Sequence, residues 1–362
     1  MKKSSRSMKQ KQWKERPEIT VGVDMGDRFS HYCVVNGEGE VMEEGRLRTT
    51  GEAFQRQFEG AVRQRIALEA GPHSPWANRL LEELGHQVIV ANPRQIPALT
   101  ASESKNDRND AEKLARFAHC DPLLLSPLRH RSLERQTDLN RIRVRDLLVR
   151  SRTMLINAAR GMVKSAGGRL PSCSSEAFVS RVQPYVPAEL REILQPLLEQ
   201  ITSLKEKIRV LDQEIAGLEQ RYPEIRILRT VPGVGPIVAS TYVLTLDGPD
   251  TMASSRQAGA FLGLRPRQSQ SGDANPQQRI SKTGNVYLRR LLVQSAQYLL
   301  GRFAPDCALR RWGLKLAGAG GKRGKKRAIV AVARKLAVLL HRLWKSGESF
   351  QPFPQAAPGA VA

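Results

Sequence analysis

Two kinds of apolar spacing divide the chain. Residues 19–24 and 30–35 are short β-rich runs, and a third lies near residues 40–47. Asn36-Gly37 separates the second run from the third, and an Asn-Gly pair between apolar runs predicts a hairpin. The spacing turns helical over 52–62, returns to a strand at 65–69, and repeats with a helix over 74–84 and a strand at 87–91. Three strands in a meander followed by alternating helices and strands predict a mixed α/β sheet.

Beyond residue 133 the pattern is helical. Residues 133–163 are dense in arginine, including Arg141 and Arg145, which suits contact with a phosphate backbone. A Gly/Ser/Pro-rich linker follows over 165–175. From there a strict heptad runs through four repeats, with Leu194, Ile201, Ile208 and Ile215 at a and Leu197, Leu204, Leu211 and Leu218 at d. This pattern predicts a parallel two-stranded coiled coil, with antiparallel pairing left open. Pro196 sets the expected start of the regular helix at or beyond itself. The alternative is an amphipathic helix packed on its own domain, but so narrow a seam favours dimerisation. A compact helical region is expected from Ile225 to about Lys345. The resulting division is a disordered basic tail over 1–17, a sheet domain over 18–125, the arginine-rich helix, linker and coiled coil over 126–222, a helical domain over 223–348, and a flexible tail over 349–362.

Charge changes the picture from fold to partner. The 362 residues, enough for about two domains, carry 58 Lys plus Arg against 35 Asp plus Glu, a formal net charge of +23. That excess points to a polyanion such as nucleic acid. The four cysteines, Cys33, Cys120, Cys173 and Cys307, form no CxxC pair, which argues against a disulfide scaffold or zinc site and fits a reducing prokaryotic cytoplasm. The longest apolar stretch, near residues 328–340, is broken by Arg334 and Lys335, so no bilayer span and no membrane partner is expected.

In so basic a chain, acids at strand ends merit inspection. Asp24 closes the first predicted strand and Glu69 the fourth, while Asp107 and Asp110 fall at the start of a helix reaching about Phe117. Three residues apart, Asp107 and Asp110 share one face of that helix. The element order is that of an RNase H-like sheet, in which the first and fourth strands are neighbours and the four carboxylates converge. Such a cluster suits phosphoryl transfer with two Mg2+ ions, which take hard oxygen ligands. Each acid alone has a plainer reading as a strand terminus, turn residue or helix cap.

Two further motifs lie in the C-terminal half. Residues 228–239 (LRTVPGVGPIVA) have the form of a helix-hairpin-helix, with Gly233 and Gly235 permitting a tight turn whose amides meet a phosphate. Farther on, Ser271-Gly272 is surrounded in sequence by Arg265, Arg267, Arg279, Lys282, Arg289 and Arg290, cations suited to non-bridging phosphate oxygens. Ser269 and Ser281 compete with Ser271 on this pattern. Another basic cluster, Lys322, Arg323, Lys325, Lys326 and Arg327, lies nearer the C-terminus.

The combination resembles the DEDD-type transposases of the IS110 insertion-sequence family, RNA-guided DNA recombinases. The resemblance runs from about Ile19 to Phe350. It rests on residues 21–24 (VGVD), 67–71 (ALEAG), 92–93 (NP), 105–111 (KNDRNDA), 231–235 (VPGVG), 263–267 (GLRPR), 271–272 (SG), 280–284 (ISKTG) and 288–290 (LRR). It implies a RuvC-like N-terminal domain in which Asp24, Glu69, Asp107 and Asp110 match the DEDD tetrad and hold Mg2+. It also implies a transposase domain in which Ser271 is the nucleophile and forms a covalent phosphoserine link to DNA. By the same resemblance, a coiled coil joins the domains in a homodimer or homotetramer with composite sites, and a structured bridge RNA selects the element-end and target DNA. Gln270 departs from the family pattern, which has an acid before the serine, and the long basic N-terminal tail has no family role. The reading is therefore a serine-using, Mg-dependent site-specific DNA recombinase. Its rivals are a hydrolytic RuvC-like nuclease and a non-catalytic RNA- or DNA-binding dimer.

Overall fold

The computed structural model describes residues 13–16, 18–93, 107–269, 276, 278–319 and 321–353. The chain forms two units, Met1–Arg131 and Ser132–Ala362.

The first unit is built on β1 (Thr20–Met25), β2 (Phe29–Val35), β3 (Val41–Arg48), α1 (Gly51–Phe58), β4 (Arg65–Glu69), α2 (Ser74–Glu83), β5 (Gln87–Ala91) and α3 (Asp107–Cys120). The sheet has the order β3-β2-β1-β4-β5. β1 is antiparallel to β2 and parallel to β4, and β4 is parallel to β5. This mixed sheet has the strand order expected of an RNase H-like domain. Alternation along the strands makes two faces. Val21, Val23, Ile66 and Leu68 pack with Phe54 and Phe58 of α1 and with Ala77 and Leu81 of α2. Ala67 faces the other way, against Leu114 and Ala118 of α3. Gly22 lets α3 lie directly on β1, because a Cβ there would stand 2.1 Å from the Ala111 carbonyl oxygen.

Within the segment 1–17, residues 13–16 are described. Trp13 is only 1 % exposed and its indole donates to Glu43 Oε2 at 2.9 Å, while Gln64 Nε2 donates to the Trp13 carbonyl at 3.0 Å. Ordered structure therefore reaches back into the segment expected to be disordered. The charge around Trp13 concealed a single aromatic anchor whose burial outweighs the cost of ordering a few residues.

The second unit comprises α4 (Leu133–Ser165), α5 (Phe178–Val182), α6 (Arg191–Arg221), α7 (Glu224–Arg229), α8 (Pro236–Leu246), α9 (Gln257–Phe261), α10 (Val286–Leu299), α11 (Ala308–Gly318) and α12 (Gly321–Ser346). Residues 166–177, largely the expected linker, carry neither helix nor strand. The heptad seam of α6 is spent inside the chain. Leu194, Leu198 and Ile201 cluster with Ile156, Ala159 and Val163 of α4, and Ile215 and Leu218 cluster with Leu139 and Ile142. The start of α6 thus meets the end of α4, an antiparallel hairpin instead of the parallel intermolecular pair. A 3.5-residue seam reports a long single partner, and cannot say whether that partner is a second chain. Pro196 lies inside α6 and not at its start. It is exposed and near the start of the helix, where removing one backbone N–H donor is tolerated. The end of this hairpin shares one core with Tyr242, Leu292, Leu336 and Leu340, so packing continues across residue 222. No described helix is long and apolar enough to cross a membrane.

Candidate active site

The carboxylates of the first unit are positioned by strand register. β1 and β4 pair Thr20 with Arg65, Gly22 with Ala67 and Val23 with Leu68. One residue farther, Asp24 and Glu69 stand at the same level on adjacent parallel strands. Both fall on the α3 face by alternation with Gly22 and Ala67. The direction of α3 is fixed at two points. Arg65 Nη1 donates to the Ala118 carbonyl at 3.0 Å, and Gly22 abuts Ala111 and Ala115. Moving toward the start of α3 therefore moves toward the Asp24–Glu69 end. Asp110 lies one turn before Leu114, and Asp107, the first residue of the helix, one turn before Ala111.

Asp110 receives Lys113 Nζ at 3.3 Å, and Arg108 pairs with Glu44 of β3. Among the described residues, no three His, Cys, Asp or Glu side chains stand close enough to hold a metal ion. His31, directly across the β1–β2 ladder from Asp24, was missed in the sequence. That pairing is set by the tight connection between β1 and β2 at residues 26–28.

In the second unit the serine-bearing segment is framed by a two-stranded stem. Pro266 bridges Ile280; the Arg267 amide donates to the Arg279 carbonyl at 2.9 Å and the Ser281 amide to the Arg265 carbonyl at 2.9 Å. Ser271 and Gln270, between these arms, lie outside the described residues. At the base of the stem the two backbones nearly touch. A Cβ at Gly263 (φ +66°) would stand 2.3 Å from the Thr283 carbonyl oxygen, and one at Gly284 (φ +73°) 2.0 Å from that of Phe261. Glycine is required at both for space and for the left-handed backbone. Arg265, Arg267, Arg279 and Lys282 are exposed along the stem. Ser269 is exposed too, whereas Ser281 Oγ contacts Thr283 Oγ1 at 2.9 Å.

Other residues assigned to nucleic acid are engaged within the protein. Arg289 is 9 % exposed and donates from Nη1 to the carbonyls of Leu262 at 3.0 Å and Thr283 at 2.7 Å. Burial lowers its pKa from the ordinary guanidinium value. Arg290 pairs with Asp146 of α4 and covers the Tyr287 ring. Arg141 bonds Asp138 at 2.8 Å and Arg145 bonds Asp212 at 2.7 Å, tying α4 internally and to α6. Arginine density alone could not show these partners, because each acid is distant in sequence or one helical turn away.

The helix-hairpin-helix turn connects α7 to α8. Gly233 (φ +81°) faces α10, where a Cβ would meet the Tyr298 ring at 2.9 Å and the Ser295 carbonyl oxygen at 3.2 Å. The close approach to α10 requires glycine there for packing. Gly235 caps α8 and has open space around its α-carbon.

Comparison with known proteins agrees with both halves. A DEDD transposase model of the IS110 type matches residues 21–167, and a model of the transposase IS116/IS110/IS902 family matches residues 225–310. The chain is 30 % identical over 342 residues to a Pseudomonas aeruginosa protein named "Probable family 20 transposase", covering 92 % of this chain and 98 % of that protein. It is 27 % identical to the transposase for insertion sequence element IS1111A of Coxiella burnetii, covering 97 % of this chain and 94 % of the relative. The transposase for IS1328 of Yersinia enterocolitica is 28 % identical, over 79 % of this chain and 85 % of its own length.

Proposed function

Because the chain belongs to the IS110 family of DEDD insertion-sequence transposases, we propose that it moves DNA through a phosphoserine intermediate with a divalent-metal site on the first unit. The observation that carries the metal reading is the shared level of Asp24 and Glu69 on adjacent parallel strands, with the start of α3 directed to the same end. Asp24, Glu69, Asp107 and Asp110 offer only hard carboxylate oxygens, a donor set that fits Mg2+ and not a thiophilic metal. When bound, the metal supplies positive charge to the phosphoryl oxygens and lowers the pKa of the attacking group.

Ser271 contributes its hydroxyl oxygen. In the proposed step it forms a bond to phosphorus, loses its proton, and displaces one DNA oxygen, which leaves as a hydroxyl. The number of phosphoester bonds is unchanged, so attack by a second DNA hydroxyl on phosphoserine rejoins strands and frees the serine. Arg265, Arg267, Arg279 and Lys282 neutralise non-bridging oxygens around this loop. Target choice is assigned to a structured non-coding RNA of the element, as the family resemblance implies. The homodimer or homotetramer is proposed to draw on surface outside Leu194, Ile201, Ile208 and Ile215, which are buried within the chain.

The test combines protein, Mg2+, element-end DNA and RNA transcribed from the element's non-coding flank, followed by a denaturing gel. A DNA–protein adduct that is lost in Ser271→Ala supports the reading, and Asp107→Asn is expected to abolish strand transfer while retaining nucleic-acid binding. Cut DNA without an adduct, unchanged in Ser271→Ala, would establish a hydrolytic nuclease instead.

A further inference from the structure

A groove of about 1530 Å3 lies on the second unit between α11, α12 and the stem of the serine-bearing segment. Its floor is apolar, with Leu309, Trp312, Leu316 and Phe350 among its lining. Its rim is cationic: Arg279, Lys282, Lys326, Arg327, Arg334 and Lys335. Arg256 and Arg342 bring the lining cations to eight, against one acid, Glu348. Among the described residues none of these eight has an acidic partner within 4.0 Å, unlike Arg141, Arg145 and Arg290. Lys335 Nζ stands 3.8 Å from the centre of the half-buried Trp312 ring, and a swing of its flexible stem exposes the ring face without removing charge from the rim.

We propose that this groove holds an unpaired stretch of DNA, its bases on the Trp312 floor and its phosphates on the α12 rim, leading to or from the serine-bearing stem. The inference rests on the DNA-transposase reading, but not on the serine being the nucleophile. Two features select the occupant. Unneutralised cations demand a polyanion, and an apolar floor with an indole demands exposed base faces, which a duplex keeps stacked inside. The chain's own C-terminal segment, residues 354–362 (PQAAPGAVA), has no charged side chain and does not complement the rim. Arg279 and Lys282 belong to both groove and stem, so a strand in the groove emerges at the stem that carries Ser271.

The test uses the full chain and a fluorescein-labelled oligodeoxythymidine of about 12 nucleotides, within the usual range for single-strand sites. Binding is followed by anisotropy and by quenching of tryptophan emission. The expected result is quenching that disappears in Trp312→Phe, which keeps an aromatic floor and the fold. The double variant Arg327→Glu/Arg334→Glu, exposed on α12, is expected to weaken binding at least about tenfold and to flatten the salt slope by about 1.4, at roughly 0.7 for each phosphate no longer neutralised. Ser271→Ala should bind as tightly as wild type, which separates this site from the phosphoserine step. Equal affinity for a duplex of the same length, preference for oligouridine over oligodeoxythymidine, quenching that survives in Trp312→Phe, or wild-type affinity in the double variant would each overturn the proposal.

Discussion

The Arg289 guanidinium reaches from the first turn of α10 to the Thr283 carbonyl at 2.7 Å, and the same Nη1 bonds the Leu262 carbonyl at 3.0 Å. Leu262 and Thr283 each immediately precede one of the two glycines, Gly263 and Gly284, at which the arms of the stem meet. One buried cation therefore clamps the base of the segment that carries Ser271. Replacing Arg289 by Gln leaves two carbonyls without that donor, at a cost of about 1–3 kcal/mol. Lysine retains the charge but lacks the planar fork and recovers only part of the loss. Arg289→Gln should melt several degrees lower and form the covalent adduct more slowly, with Arg289→Lys between it and wild type. Thermal melting and adduct yield on matched samples check the order.

The glycines at that base show how far sequence reading carries. The motifs 263–267 and 280–284 were legible as a pair flanking a serine, but their physical reason was not. It lies in two backbones crossing within 2.3 Å of where a Cβ would sit, and only coordinates show this. The sheet was legible because β1, β4 and β5 are short continuous apolar runs separated by helical spacing, and the Asn-Gly turn punctuates the hairpin. The α6 seam was legible as a seam, but its partner within the chain was not, because α4 hides its own apolar side under arginines. Those arginines inflated the apparent nucleic-acid surface for the same reason. A run of arginines in sequence does not show which carboxylates fold against it, such as Asp138 on Arg141 and Asp212 on Arg145.

His86 gives the first unit a pH dependence with a definite sign. It is 5 % exposed; Nδ1 accepts from the Gln64 amide at 3.3 Å, so Nε2, 3.2 Å from the Phe58 carbonyl, carries the proton and donates. The Gln64 bond specifies a ring neutral at Nδ1, and burial lowers its pKa from the ordinary value near 6.5, outweighing the Phe58 carbonyl, which raises it. The unfolded chain takes a proton as pH falls through about 6.5, while the folded chain resists. Stability is therefore full above that pH and declines below it. His130, whose pKa burial also lowers, acts in the same direction. Melting temperature should fall between pH 7.5 and 5.5. In His86→Leu it should start lower and fall less steeply; an unchanged slope would remove His86 as a cause.

The fate of Leu204 separates a chain-internal seam from an intermolecular one. Leu204 is 4 % exposed on α6. Lysine at that position buries an unpaired charge and opens the hairpin, costing about 3 kcal/mol or more. The expected signature is a large loss of cooperative unfolding by calorimetry at every protein concentration. A variant that melts like wild type but halves its mass in light scattering would mean that Leu204 faces a second chain. Arg145→Ala is the contrasting control. The Arg145–Asp212 pair is partly exposed and sits on the flank of the hairpin, so its loss should cost about 1 kcal/mol or less.

Gly22 couples packing to chemistry in the first unit. It carries no functional group, yet its missing Cβ lets α3 rest on β1, and α3 brings Asp107 and Asp110 to the Asp24–Glu69 end. Alanine there would place a carbon 2.1 Å from the Ala111 carbonyl oxygen and 2.4 Å from the Ala115 amide nitrogen. Both are backbone atoms of a helix, so relief requires the helix to lift as a body, by about 1 Å to reach ordinary contact. A carboxylate set that binds a hard ion depends on distances held more tightly than that. Gly22→Ala should therefore weaken the Mn2+-induced rise in melting temperature at least several-fold, while oligodeoxythymidine binding by the second unit stays unchanged. A variant that folds and keeps the full Mn2+ response would show that the carboxylates do not depend on the seating of α3, and would remove the helix from the metal site.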